Sequence, residues 1–343
     1  MEASGCYNKL RYFLYTKTPV GPWYTKKQWD KAKVQYPNGH RSITSFDYVG
    51  IKVTALPVGF DNYCYVITKS TQDTLPKRCV LIDVGDADTA INYMEENQIQ
   101  PVAVLSTHKH WDHTYGNSEL LGRFSDLKIY GDSTCSGVNS PIKEGDEIQA
   151  AGMILSVYST PGHIREHLIY TLNHPQSGIR LIFAGDFVFN AGSGRLYECD
   201  AVIQLDSLTK FTQRFSSDDL IFPGHEYALE NYRFSEWLCQ RYLADNVSKN
   251  TSLTNEADEI QKLVVQYAQK VKECAEARVS NAPVVPFPLS EQLQLNLYFR
   301  TNEIFVHKLA DEEVSEGDQK MQANIITKLF MLKNQFLSEE ENK

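Results

Sequence analysis

Thr107-His108-Lys109-His110-Trp111-Asp112-His113 places three imidazoles and a carboxylate within six consecutive residues. His108 and His110 stand two apart, so both project from one side of an extended segment. Asp112 and His113 follow at once and offer a second pair of donors aimed elsewhere. Imidazole and carboxylate together suit zinc, iron or manganese, with no thiolate required. Packing gains nothing from three such histidines, so the block reads as a metal-binding segment.

The other candidate donors share one kind of position. His108 and its neighbours follow the apolar run Val102-Ala-Val-Leu105, and His163 follows Ile154-Leu-Ser-Val-Tyr158 through the turn Ser159-Thr-Pro-Gly162. Asp186 follows Leu181-Ile-Phe-Ala-Gly185, and His225 follows Leu220-Ile-Phe-Pro-Gly224. Donors at the carboxyl ends of strands converge on one edge of a sheet, where open α/β folds place their sites. Five histidines and two aspartates are too many for one tetrahedral zinc and match two ions sharing a carboxylate. The expected assignment gives His108, His110 and His163 to one ion, Asp112, His113 and His225 to the other, and Asp186 to both. Two ions about 3.5–4 Å apart share a hydroxide, because metal binding lowers the pKa of water towards roughly 7. Hydrolysis is therefore the expected chemistry, with Asp112 and Asp186 as its carboxylates and two divalent ions as cofactors, zinc first, iron or manganese also suited. Asp83, ending Val80-Leu-Ile-Asp83, is expected to orient a ligand imidazole from behind. His167 reads either as a similar support or as a core histidine, and His40, His174 and His307, which lack such context, as surface residues.

These donors need strands and helices to hold them. Strands are expected at Ile51–Val58, Tyr63–Thr68, Cys79–Asp83, Val102–Ser106, Leu127–Tyr130, Ile154–Ser159, His167–Leu172, Leu181–Ala184 and Leu220–Phe222, with helices near Ala87–Asn97, Asn117–Phe124 and Asp206–Phe215. That mixture predicts a layered α/β domain. After His225 helical periodicity dominates, with Asn296–Phe299 as a short apolar, strand-like run. Ile260, Leu263, Val264, Tyr267, Val271 and Cys274 line one face of a helix over Glu256–Ala277 that Thr254 is placed to cap, and Met321 to Phe336 line another. The expected organisation is an N-terminal extension over 1–48, a catalytic domain over 49–226 and a mainly helical substrate-binding domain over 227–343.

The chain's 343 residues carry a net charge of -9, which argues against nucleic acid as a partner. Residues 1–46 depart from that balance, with eight basic side chains against two acidic ones, a net +6 among eight tyrosine, tryptophan and phenylalanine residues over 7–36. Such a segment reads either as an arm packed on its own domain or as a contact for a partner protein or membrane surface. No apolar run approaches the roughly 20 residues of a bilayer span. With no signal-type stretch and seven scattered cysteines, a cytoplasmic location is expected.

The order Asp83, His108-x-His110-x-Asp112-His113, Gly162-His163, Gly185-Asp186, Gly224-His225 resembles the metallo-β-lactamase superfamily. Thr-His-Lys-His-Trp-Asp-His, Gly194-Arg-Leu-Tyr-Glu198, Pro223-Gly-His-Glu-Tyr227 and Asn296-Leu-Tyr-Phe-Arg300 narrow the resemblance to glyoxalase II, hydroxyacylglutathione hydrolase. It implies an αββα sandwich with a C-terminal helical domain, and hydrolysis of an acyl-glutathione such as S-lactoylglutathione by a metal-bridging hydroxide. It also implies glutathione binding by Arg195, Tyr197, Tyr227 and Arg300. The family usually has lysine at Arg195 and a further basic residue shortly after Arg300, where this chain has Thr301-Asn302-Glu303. Two other readings remain open: a single-iron persulfide dioxygenase of the same superfamily acting on glutathione persulfide, and a scaffold that retains the metal site.

Overall fold

Strand residues alternate between two buried layers. Along Asn62–Lys69, Tyr63, Tyr65 and Ile67 enter one core while Cys64 and Val66 enter another. Both faces are covered, which explains why these strands read as continuous apolar runs. The computed structural model describes residues 2–70, 76–174, 177–248, 255–312 and 318–342.

Two large sheets form. The first has seven strands in spatial order Thr44–Tyr48, Ile51–Val58, Asn62–Lys69, Lys77–Ile82, Ile99–Leu105, Lys128–Gly131 and Ser140–Pro141. Its first three pairings are antiparallel and the next three parallel. The second has six strands in order Phe287–Pro288, Leu220–Pro223, Arg180–Gly185, Leu168–Asn173, Met153–Ser159 and Glu147–Ala150. Tyr65, Val80 and Leu105 of the first sheet meet Leu155, Tyr170, Phe183 and Phe222 of the second in the central core. The helices Ala87–Glu96 and Asn117–Arg123 cover the outer face of the first sheet through Ala90, Met94 and Leu120. Ala201–Arg214 and the C-terminal helices cover the outer face of the second through Leu208, Phe211, Tyr232, Tyr267 and Ile325. This αββα layering is the expected one.

All nine expected strands form, with ends displaced by at most three residues. The helix expected from Asp206 starts earlier, at Ala201, because the Asp200 carboxylate accepts the Ile203 N–H at 3.0 Å and caps it there. The long helix runs Asn255–Val279, and its expected cap Thr254 lies outside the described residues. The last helix spans Gln319–Glu341. Asn296–Phe299 is not extended: the Asn296 side chain accepts the Tyr298 N–H and donates to the Gly192 carbonyl, closing a 3-10 turn over Leu297–Phe299. After the proline-rich connector, Phe287–Pro288 returns to pair with Leu220–Pro223 at the sheet edge.

Residues 2–35 fold as two helices, Glu2–Lys17 and Val20–Gln35, and a strand follows at Thr44–Tyr48. Trp29 is buried, and its indole N–H donates to the Gly85 carbonyl at 2.8 Å. Lys33 pairs with Asp86 and Asp88. The segment thus packs on the chain's own first sheet. Among the described residues no helix is long and apolar enough to cross a membrane.

The expectation that His40, His174 and His307 lie on the surface is corrected, since all three are buried. His40 Nε2 meets the Asn62 carbonyl at 2.8 Å and His307 Nε2 the Thr301 carbonyl at 2.9 Å, while His174 Nδ1 accepts the Ser177 N–H at 3.0 Å. Each satisfies a backbone group that a turn leaves open.

Phe183 stacks on Phe222 with ring centroids 5.1 Å apart, and Tyr65 lies 5.6 Å away from the opposing sheet. Phe183→Ala is expected to cost about 3–5 kcal/mol in urea unfolding. A loss under about 1 kcal/mol would contradict this inter-sheet core.

Candidate metal centre

Four strand ends deliver the donors. Ile99–Leu105 leads to His108 and His110, Met153–Ser159 to His163, Arg180–Gly185 to Asp186, and Leu220–Pro223 to His225. Asp112 and His113 lie on the short helix Trp111–Thr114. Close approach explains one of the glycines: a Cβ on Gly224 would stand 2.6 Å from Asp186 Oδ1 and 2.8 Å from His113 Cε1.

The seven residues form two groups, His108, His110, His163 and Asp186 in one and Asp112, His113 and His225 in the other. In the first, His110 Nδ1 lies 2.9 Å from His108 Nε2 and 3.0 Å from His163 Nε2, and Asp186 Oδ2 lies 3.9 Å and 3.5 Å from the same two nitrogens. In the second, His113 Nε2 and His225 Nε2 are 3.2 Å apart, with Asp112 Oδ2 at 3.6 Å and 3.5 Å from them. Asp186 Oδ1 sits 3.3 Å from each. The two oxygens of Asp186 therefore face different groups. Metal–nitrogen bonds of about 2.0–2.1 Å at tetrahedral angles imply donor separations near 3.3 Å, and these separations bracket that value.

The outer nitrogens show why the inner ones converge. His163 Nδ1 donates to the Arg195 carbonyl at 2.7 Å, His113 Nδ1 to Asp83 at 2.9 Å and His225 Nδ1 to Asp61 at 2.8 Å. His108 Nδ1 donates to Thr107 Oγ1 at 3.0 Å, whose own proton goes to Asp83. His110 Nε2 donates to the Tyr12 hydroxyl at 3.2 Å, whose proton goes to Glu198. With these protons outward, the five remaining ring nitrogens point into two small spaces. Asp186 Oδ1, buried, then has no hydrogen-bond donor among the described residues. Cations satisfy that arrangement, and the donor set suits divalent metal ions.

Electrostatics divide the groups. Burial holds His108 well below the ordinary imidazole range, His110 at about 3 and His163 below its usual value. Burial also opposes charge on His113 and His225. There, however, Asp186 with Asp112 and Asp83, or with Asp61, outweighs it, raising His113 well above the usual range and His225 to about 10. Burial disfavours the Asp186 and Asp112 anions, yet His225 and His113 keep Asp186 well below the carboxylate range and Asp112 at about 2.

His167 proves to be a support: Nδ1 meets Thr160 Oγ1 at 2.9 Å, and Nε2 accepts the Asp186 N–H at 3.2 Å. Of the expected substrate residues, Tyr227 stacks on His225 with centroids 4.7 Å apart, and Tyr197 sets its ring edge-on to His110 and His163 at 5.6 Å and 5.3 Å. Arg195 is exposed and donates to Asn334 of the last helix. The Arg300 guanidinium binds Glu303, Glu259 and the Gln294 carbonyl, none of them a member of this cluster. Sequence reasoning missed Asp61, Thr107, Tyr12, Tyr15 and Glu198. Only Thr107, adjacent to the histidine block, carried a local signal.

Below about pH 10 the metal-free protein holds a proton on His225, and His113 is likewise raised. A metal needs those lone pairs, so protons leave as it binds and apparent affinity rises with pH. Zinc titration calorimetry at pH 7 in buffers of differing ionisation enthalpy is expected to show net proton release. Proton-neutral uptake would contradict the placement of these protons.

Residues 58–136 match the family model of the metallo-beta-lactamase superfamily. Along most of its length the chain is similar to hydroxyacylglutathione hydrolase of Erwinia tasmaniensis, 31% identical over 271 residues, 78% of this chain and 94% of the relative. Hydroxyacylglutathione hydrolase of Cronobacter sakazakii is 32% identical over 252 residues, 73% of this chain and 87% of the relative. A solved metallo-beta-lactamase from Staphylococcus aureus covers 77% of this chain and 68% of its own at 17% identity, with a TM-score of 0.47. The chain belongs to the hydroxyacylglutathione hydrolase family of the metallo-β-lactamase superfamily, as a metal-dependent hydrolase.

Proposed function

We propose that the chain hydrolyses an acyl-glutathione thioester with two divalent ions, the first held by His108, His110 and His163, the second by Asp112, His113 and His225, and both by Asp186. The observation that carries this reading is the orientation of Asp186, one oxygen toward each group. When bound, such ions polarise a carbonyl and bring the pKa of water towards roughly 7. A single-iron dioxygenase site using two histidines and one carboxylate would leave the donors of one group without a cation.

The chain's own groups set out the rest. Asp112 is the most exposed of the seven donors, with 27% of its side chain accessible, and it is ionised throughout the neutral range. It therefore orients a water by accepting a hydrogen bond. Tyr197 and Tyr227 flank the two groups and wall the reacting thioester. Arg195 anchors one glutathione carboxylate. Burial and the nearby Arg195 bring Lys333, on the last helix, down to about 8, so it adds a second cation beside Arg195 at neutral pH.

The test is turnover of S-lactoylglutathione by the metal-loaded chain, with glutathione persulfide and oxygen uptake as the comparison. Thioester loss without oxygen consumption is expected, and Asp186→Asn is expected to lower kcat at least 100-fold with loss of one bound ion. Arg195→Ala is expected to raise KM roughly 10–100-fold, the worth of a charged hydrogen bond, with kcat within threefold. A chain holding two ions that cleaves no thioester would overturn the proposal.

A further inference from the structure

The outer hydrogen bonds of the seven donors come from two sources. Thr107, the Arg195 carbonyl, Asp83 and Asp61 support His108, His163, His113 and His225 from within the two-sheet sandwich. Asp186 is held through its backbone N–H by His167, whereas His110 and Asp112 are supported by the N-terminal helix Glu2–Lys17, Asp112 also by Asn62 Nδ2, which donates to Oδ2 at 3.2 Å. Tyr12 accepts from His110 Nε2 at 3.2 Å and donates to Glu198 at 2.8 Å; Glu198 in turn pairs with Lys109 at 2.6 Å. Tyr15 donates to Asp112 Oδ1 at 2.9 Å, leaving Oδ2 for the second group, and accepts the Trp111 N–H at 3.2 Å. The Tyr15 carbonyl also takes the Trp111 indole N–H at 2.9 Å. One phenol thus reaches a donor of each group.

We propose that Tyr12 and Tyr15 are positioning residues of the metal centre, and that the N-terminal helix is a structural part of it. Tyr12 sets the ring and tautomer of His110 for the first ion. Tyr15 fixes which Asp112 oxygen turns to the second. Residues 2–35 would on this basis be needed for full metal affinity. Trp29 and Lys33 secure the second helix of the segment beside Gly85 and Asp86, just after the supporting Asp83. The proposal rests on the two-ion reading above. Losing an outer partner of a metal ligand typically lowers metal affinity 10–100-fold.

The test uses the full chain stripped of metal and titrated with zinc against a chromophoric chelator. Wild type, Tyr12→Phe, Tyr15→Phe and Tyr24→Phe are compared, the last being an exposed ring on the second helix. Wild type is expected to take up two ions. Tyr15→Phe is expected to weaken one of them at least tenfold, Tyr12→Phe the other, and Tyr24→Phe neither. Thermal unfolding of the metal-free variants is expected to stay close to wild type, because each keeps its packed ring and loses one hydroxyl. Wild-type affinity for both ions in Tyr12→Phe and Tyr15→Phe would overturn the proposal while leaving the two-ion reading intact. Equal weakening of both ions together with a lowered unfolding temperature would also overturn it, by showing a general packing role. Uptake of one ion or none by wild type would overturn the two-ion reading itself, and this proposal with it.

Discussion

Five imidazoles turn a ring nitrogen towards the neighbourhood of one carboxylate, because each donates its other N–H to an acceptor behind it. Asp186 stands between the resulting groups, with Oδ2 facing one and Oδ1 the other. Gathering so many lone pairs and anionic oxygens in a buried space is unfavourable by itself, and the surrounding chain opposes their dispersal. Asp83 shows how: it supports His113 directly and His108 through Thr107, and it adopts a positive φ of 52° to do so. His167 pins the backbone of Asp186 from the opposite side. The site is held as a network, so single supports matter through the donors they aim.

The two sheets serve that network. Strands from both end near the same edge, so His108, His110 and His113 come from one sheet and His163, Asp186 and His225 from the other. The inter-sheet core of Tyr65, Tyr170, Phe183 and Phe222 fixes the distance between those two sets. Tyr170 links them further by donating its hydroxyl to the Ser106 carbonyl, two residues before His108. Core packing and donor geometry are therefore coupled over a short span.

Much of this was legible in the sequence because its causes are local. An apolar run that leads into a donor marks a buried strand whose tip reaches the site, and four such runs, three of them through a glycine, identified the same edge. The supports were harder to read. Tyr12 and Tyr15 lie 98 and 97 residues from His110 and Asp112, and Asp61 lies 164 from His225. No periodicity announces such contacts, and the helix bearing both tyrosines was obscured by aromatic residues spread around it. Single histidines misled for a related reason: His40 and His307 bind backbone carbonyls exposed by distant or irregular turns. The Arg300–Glu303 pair, by contrast, had a visible signal in its three-residue spacing.

The central claim is that Asp186 joins two metal ions. Anomalous diffraction from zinc-loaded crystals tests it most directly. The account predicts two peaks roughly 3.5–4 Å apart, one between His108, His110 and His163 and the other between Asp112, His113 and His225, each touching a different oxygen of Asp186. A single fully occupied peak, with the other group's nitrogens bonded to water or to one another, would contradict it.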